Sequence, residues 1–194
     1  MSIAFLKKAV VGAAILGASF SAMALSLDSN VALGKTVTAL PFSVPLQNPL
    51  SLLTDGVVPA NGTYWADAST VSWQGGFGGV EIDLGGSFSV SSITVSHDNN
   101  DLYFLTYPNT TGGVGFVPFG PAINAGGMNT SSVTFASPIT VSKLSFFGAG
   151  GDGLYSLGEV TVMGVAVPVP EPEGYAMFLA GLGLIGALAR RRQN

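Results

Sequence analysis

The sequence predicts an all-β body of antiparallel strands, closed as a sandwich or barrel, between one apolar helix at each end. Three observations carry this. Short runs in which apolar residues alternate with Ser, Thr or acidic residues recur through the middle of the chain, and no apolar stripe of helical period reaches useful length there. Charged residues make up only 9% against 27 glycines, which suits uncharged strands joined by Gly- and Ser-rich turns. The two ends are long apolar runs whose only charges are clustered Lys or Arg.

Residues 1–24 follow the three-part plan of a secretory signal peptide. Lys7 and Lys8 form the positive start, Ala9 to Ala18 the apolar run, and Ala22-Met23-Ala24 places small residues where a signal peptidase needs them, with cleavage after Ala24. A short membrane anchor is the competing reading, but the run is too short to span a bilayer comfortably.

The body covers residues 25–166. Val80-Glu81-Ile82-Asp83-Leu84 puts three apolar side chains on one strand face and two carboxylates on the other. Phe88 to Val95, Val133-Thr134-Phe135, Ile139 to Phe147 and Glu159 to Val162 read as further strands, separated by Gly-Gly pairs, Asn runs and prolines. The Gly- and Pro-rich stretch 112–129 reads as one large loop.

Residues 167–173, Val-Pro-Val-Pro-Glu-Pro-Glu, form a stiff extended linker, because closely spaced prolines disfavour helix. Residues 174–194 come next, with sixteen uncharged positions from Gly174 to Ala189 and then Arg190, Arg191 and Arg192. They read as a transmembrane helix of about 24 Å, slightly short of a bilayer core, with the arginines on the cytoplasmic side.

At these residues the chain resembles a known family. Pro170-Glu171-Pro172, the Gly-rich apolar helix and Arg190-Arg191-Arg192 resemble the PEP-CTERM sorting signal of Gram-negative bacteria in order, spacing and terminal position. The resemblance implies an exosortase as partner, a membrane transpeptidase-like cysteine protease. It also implies transient anchoring in the inner membrane with the body periplasmic, then delivery to the cell surface or extracellular matrix in company with exopolysaccharide, as in a biofilm. An ordinary tail anchor would present the same apolar span.

A second resemblance covers most of the body. Asn30-Val31-Ala32-Leu33-Gly34-Lys35, Leu53-Thr54-Asp55-Gly56, Trp65, Val80 to Gly85, Ile93-Thr94-Val95, Asp98 to Tyr103 and Tyr155 to Val160 follow the order of a discoidin-like domain, the galactose-binding-like jelly roll also found in bacterial carbohydrate-binding modules. It implies an antiparallel β-sandwich of about eight strands. It also implies a structural calcium (Ca2+) held by Asp55 in an Asp-Gly turn and Glu159 at the start of the last strand, with backbone carbonyls between; hard oxygen ligands suit that ion. The alternative is that Asp55 caps a turn and Glu159 faces water.

The candidate ligand-binding residues lie in two places. His97, Asp98, Asn99, Asn100 and Asp101 form the most polar stretch, able to ligate a cation or hydrogen-bond sugar hydroxyls, although Asn and Asp equally suit a tight turn. His97, the one histidine, reads as a solvated loop residue. Tyr64, Trp65, Trp73 and Phe77 could stack on sugar C–H faces or fill the core, Trp73 being the better surface candidate because the Gly-rich run from Gly75 to Gly79 comes directly after it. The family's glycan binders use loop His, Arg or Asn with an aromatic ring; the body contains no Arg.

Charge and composition exclude several classes. Between Leu25 and Pro170 only Lys35 and Lys143 are basic against nine acids, so the body carries about −7 and lacks the footprint for nucleic acid or anionic lipid. The chain has no Cys, which removes disulfides, thiolate metal sites and cysteine nucleophiles. No Gly-x-Ser-x-Gly elbow occurs, and Glu81 and Asp83 are merely i, i+2 neighbours on a strand, so the protein reads as a non-enzyme. The expectation is an exported matrix protein that binds glycan through its jelly roll; a structural or adhesive surface protein without sugar binding is the alternative.

Overall fold

The computed structural model describes residues 27–41, 43–75, 78–109, 112–120, 126–168 and 172–191. The expected signal segment with Ala22 and Ala24, together with Phe77, Pro170, Glu171 and Arg192, lies outside the described residues.

Among the described residues eight strands run in order: β1 (Ser29–Asn30), β2 (Thr36–Ala39), β3 (Val71–Gln74), β4 (Gly79–Asp98), β5 (Tyr103–Pro108), β6 (Val114–Phe119), β7 (Met128–Gly148) and β8 (Leu154–Ala166). A single 3-10 turn (Leu50–Leu53) and a C-terminal helix α1 (Pro172–Arg191) complete the described elements. All pairings are antiparallel, in the order β1-β8-β4-β7-β5-β6, with β2 added to β4 and β3 to β8. This is the antiparallel β-sandwich that alternation without helical period dictates.

Long bent strands let one sheet fold over on itself. The runs Val80–Leu84 and Phe88–Val95 belong to the same strand, β4, whose register shifts between Asp83 and Phe88 and again between Val90 and Ser92. An extra residue in a strand reverses which parity faces inward. Accordingly Val80, Ile82, Leu84 and Val90 are buried on even positions, whereas Ile93 and Val95 are buried on odd ones. Both halves thus turn their apolar side towards one core, shared with Leu53, Trp73, Leu105, Leu144, Phe146 and Leu157.

One expectation is corrected. The stretch 112–129 is not one loop, because Val114–Phe119 pairs with β5 from Tyr103↔Phe119 to Pro108↔Val114. Gly115 is needed within that strand, since a Cβ there would fall 2.1 Å from Tyr107 Cζ. Pro118 is tolerated because β6 ends the sheet and its outward amides need no partner strand. The C-terminal helix forms, and it begins at Pro172, a favoured first helical residue. Among the described residues, however, no helix is long and apolar enough to cross a membrane. The uncharged segment amounts to about 24 Å against a hydrocarbon core of about 30 Å, and four glycines dilute its hydropathy.

Candidate functional site

Loops converge at one pole of the sandwich. The turn from β4 to β5 meets the β7–β8 loop through Ala149 N–H to Leu102 O (2.9 Å) and Leu102 N–H to Gly150 O (3.4 Å). The segment before β7 ties in a third loop: Asn99 N–H donates to Gly127 O (3.1 Å), and Met128 N–H to Thr63 O (2.8 Å). Gly151 permits this closeness. Its φ is +101°, and a Cβ would sit 1.8 Å from Asp101 Oδ1.

The polar stretch at this pole differs from a solvated loop. His97 and Asp98 end β4, and His97, Asp98, Asn99 and Asp101 are buried; only Asn100 is exposed. His97 is corrected from a solvated residue to a core one. Its Nδ1 lies 2.7 Å from the Asp98 carbonyl and its Nε2 2.8 Å from Ser131 Oγ. A carbonyl can only accept, so Nδ1 carries the proton and Nε2 accepts from the serine. Burial lowers the His97 pKa, in keeping with that neutral form.

Asp101 is strongly perturbed. Its Oδ1 accepts the Asp152 N–H (3.1 Å), while Oδ2 makes no hydrogen bond among the described residues. Burial, then the negative charges of Asp152 and Asp98, push its pKa up to about 7. Asp98 is raised as well, chiefly by burial. Asp152 instead reaches the surface, where its Oδ2 accepts Asn100 Nδ2–H (2.9 Å). Among the described residues no group of three or more His, Asp or Glu is placed to hold a metal ion.

Trp73 is also corrected. It is fully buried on β3, stacked at 5.6 Å on Tyr155 and edge-on to Tyr103 at 6.3 Å. Pairing of β3 with β8 pins it inward, so the glycines after it do not expose it. The aromatic that is exposed near the pole is Tyr64, at 65%, on the loop that holds Thr63 and beside Trp65. Its four-residue neighbourhood of Gly, Thr, Trp and Ala shows no strand alternation, and that was the available signal for a surface ring.

A second carboxylate pair lies where β8 passes the turn after Leu50–Leu53. Glu159 is 2% exposed; its Oε2 accepts the Gly56 N–H (3.1 Å) and its Oε1 faces Asn30 Nδ2 (3.5 Å). Asp55 Oδ1 accepts the Val57 N–H (2.8 Å). Burial foremost, and the neighbouring Asp55 charge, raise the Glu159 pKa. The fold therefore brings together Asp55 and Glu159, 104 positions apart in sequence. No basic side chain pairs with either among the described residues, since Lys35 instead lies over the Phe88 ring at 5.6 Å. A buried carboxylate with a second beside it and no cation nearby has the donor chemistry that a hard cation fits.

Comparisons with known proteins bear on the C-terminal tail and on the fold of the body. Residues 168–193 match the PEP-CTERM protein-sorting motif, so the chain carries that motif at its C-terminus. A fucose-binding module of Streptococcus pneumoniae, SpX-3, superposes with a TM-score of 0.54 at 17% identity, covering 69% of this chain and 96% of the module. The Clostridium perfringens module CpGH89CBM32-4, in complex with glcNAc-alpha-1,4-galactose, gives 0.52 at 19% identity, covering 74% and 99%. The serum fucolectin of striped bass, Morone saxatilis, gives 0.54 at 18% identity, covering 74% of this chain and 51% of that one. The body thus has the jelly-roll fold of discoidin-like carbohydrate-binding modules and F-type lectins. Comparison with curated proteins returned no match.

Proposed function

We propose that this is an exported, exosortase-sorted protein of the cell surface or extracellular matrix whose jelly roll binds glycan in the exopolysaccharide. The observation that carries it is the sorting motif at 168–193 following a body with the fold of sugar-binding modules. On this reading a signal peptidase cuts after Ala24, the body (25–166) is held outside the inner membrane, and an exosortase processes the chain near Pro170-Glu171-Pro172, with Arg190 to Arg192 left on the discarded piece.

Glycan binding centres on the loop pole. Tyr64 offers a ring face, and the exposed Asn100–Asp152 pair offers both donors and acceptors for sugar hydroxyls. His97, Asp98, Asn99 and Asp101 support that surface from beneath it. Asp55 and Glu159, with backbone carbonyls of the Asp-Gly turn, would hold a structural calcium, which there supplies the positive charge their carboxylates lack. The non-enzymatic reading is supported by the fold, which the body shares with sugar-binding modules and a fucolectin.

Pull-down of the full chain on the producer's own polysaccharide tests the binding. Retention that Tyr64→Ala reduces is the expected result. No retention at all would leave a structural or adhesive surface protein. The sorting half is checked by intact mass of the protein from its native host: loss of 1–24 and of the tail is expected, and a retained Gly174 to Asn194 would overturn it.

A further inference from the structure

A second surface lies on the outer face of the strands that end the sheet, starting beside the loop pole. Strand alternation turns Tyr103 and Leu105 into the core, and Phe104 and Thr106 outward. Register then sets Phe104 opposite Pro118 on β6 and Phe147 on β7, and Thr106 opposite Phe116 and Ser145. Three rings consequently form a row: Phe116 to Phe104 at 4.4 Å between centroids, and Phe104 to Phe147 at 5.7 Å. Phe116 is 55% exposed and its neighbour Val114 70%. Large apolar side chains displayed together, rather than singly, mark interaction sites.

The surroundings of the row identify its chemistry. On one side a hollow of about 220 Å³ is lined by Glu81, Thr106, Val114, Lys143 and Ser145 among others. Beyond Phe147 lies a second hollow of about 250 Å³, formed by Leu40, Pro41, Ser43, Gly78 and Gly79. Ring faces next to hydroxyls and an ion pair match a pyranose, which has an apolar C–H face and an equator of hydroxyls. Lys143 is already engaged by Glu81 (2.7 Å) and Asp83 (3.7 Å), so among the described residues no unpaired cation faces the row to hold a polyanion. Two hollows beside a row of three rings accommodate successive sugars along a chain better than one terminal sugar.

We propose that the outer face of β5, β6 and β7 is a second glycan site, binding the interior of a neutral polysaccharide by stacking its sugars on Phe104, Phe116 and Phe147. This rests on the reading of the protein as a glycan binder but not on the loop pole. Two sites on one domain would let each copy cross-link chains, with avidity from simultaneous contact.

Affinity electrophoresis of the full chain, kept in mild detergent because α1 exposes apolar side chains, tests it with hydroxyethylcellulose, galactomannan and the polyanion alginate. Retardation by at least one neutral polymer and not by alginate is expected. Phe116→Ala should weaken it roughly 5-fold, a ring's worth of stacking, and Phe116→Trp should preserve it, both with Tm within a few degrees of wild type. Retardation that Tyr64→Ala abolishes and Phe116→Ala leaves intact would overturn the second site while sparing the loop pole. Loss with Phe116→Ala but not with Tyr64→Ala would uphold the face and reject the pole. No retardation by either neutral polymer, retardation by alginate alone, or a wild-type dimer that Phe116→Lys dissociates without any effect on retardation would overturn the proposal.

Discussion

Tyr103 and Phe104 are neighbours in sequence, yet they belong to opposite aromatic clusters. The inward one gathers Trp73, Tyr155 and His97 around Tyr103, which also accepts the Ser156 N–H through its hydroxyl at 2.7 Å. The outward one is the row Phe116, Phe104 and Phe147. Parity along β5 separates them, assigning one cluster to the core and leaving the other on the face proposed to stack on sugars. The polar groups differ accordingly: the inward rings carry heteroatoms that must be satisfied or be left at a cost, whereas the outward rings are all phenylalanine.

The sharpest way to break the comparison is to remove one ring from each side. Trp73→Ala should cost about 3–5 kcal/mol, because a fully buried indole leaves a cavity between β3 and β8. Urea denaturation measures it. Trp73→Phe should cost much less, since Trp73 Nε1 has no hydrogen-bond partner to lose among the described residues. A small effect of Trp73→Ala would mean that the inward cluster does not hold the two strands together.

The same parity shows how far the sequence could be read. Alternation in Val80–Leu84 located the strand and its inward face, and the Pro-Glu-Pro, apolar and Arg order located the sorting tail. The switch of inward parity within β4 was hidden, because a bulge beside Ser91 leaves no mark in a run of serines and valines. β6 was hidden because Gly115 and Pro118 usually break strands, and an edge position next to Tyr107 removes both objections. The burial of His97 and Asp101 was hidden for another reason: Asn and Asp in series suit a turn, and only the packing of the β7–β8 loop over them covers the turn. Asp152 entered the candidate site the same way, from 52 positions downstream of Asn100.

Because the inward cluster borders that covered turn, its stability should depend on pH and that of the outward row should not. The Asp101 carboxyl titrates near 7 when folded, well above its unfolded range near 4. The folded state therefore favours the protonated acid: stability is full below about pH 4 and declines until about pH 7. His97 runs the other way, since its folded pKa is lowered; its contribution is present above about 6.5 and lost as pH falls below that. Asp101→Asn removes only the first slope. Its gain over wild type should grow from pH 4 to 7 and then level off, with a ceiling of about 4 kcal/mol for the whole shift. Tm measured at several pH values checks this, and a gain that is flat with pH would show Asp101 to be solvated.

The smallest effect tests whether the outward row acts as a unit without supporting the fold. Phe116→Ala alone should change stability by about 0.5 kcal/mol, as at other exposed positions. Rings 4.4 Å apart on adjacent strands should nevertheless couple, so a double-mutant cycle of Phe104→Ala and Phe116→Ala should give about 0.5–1 kcal/mol. Coupling of that size with little loss from Phe116→Ala means the rings hold one another in place on a scaffold that does not need them, which is what a preorganised stacking surface requires. Coupling near zero would make them independent side chains. A loss from Phe116→Ala approaching that of Trp73→Ala would erase the distinction between the two faces of β5.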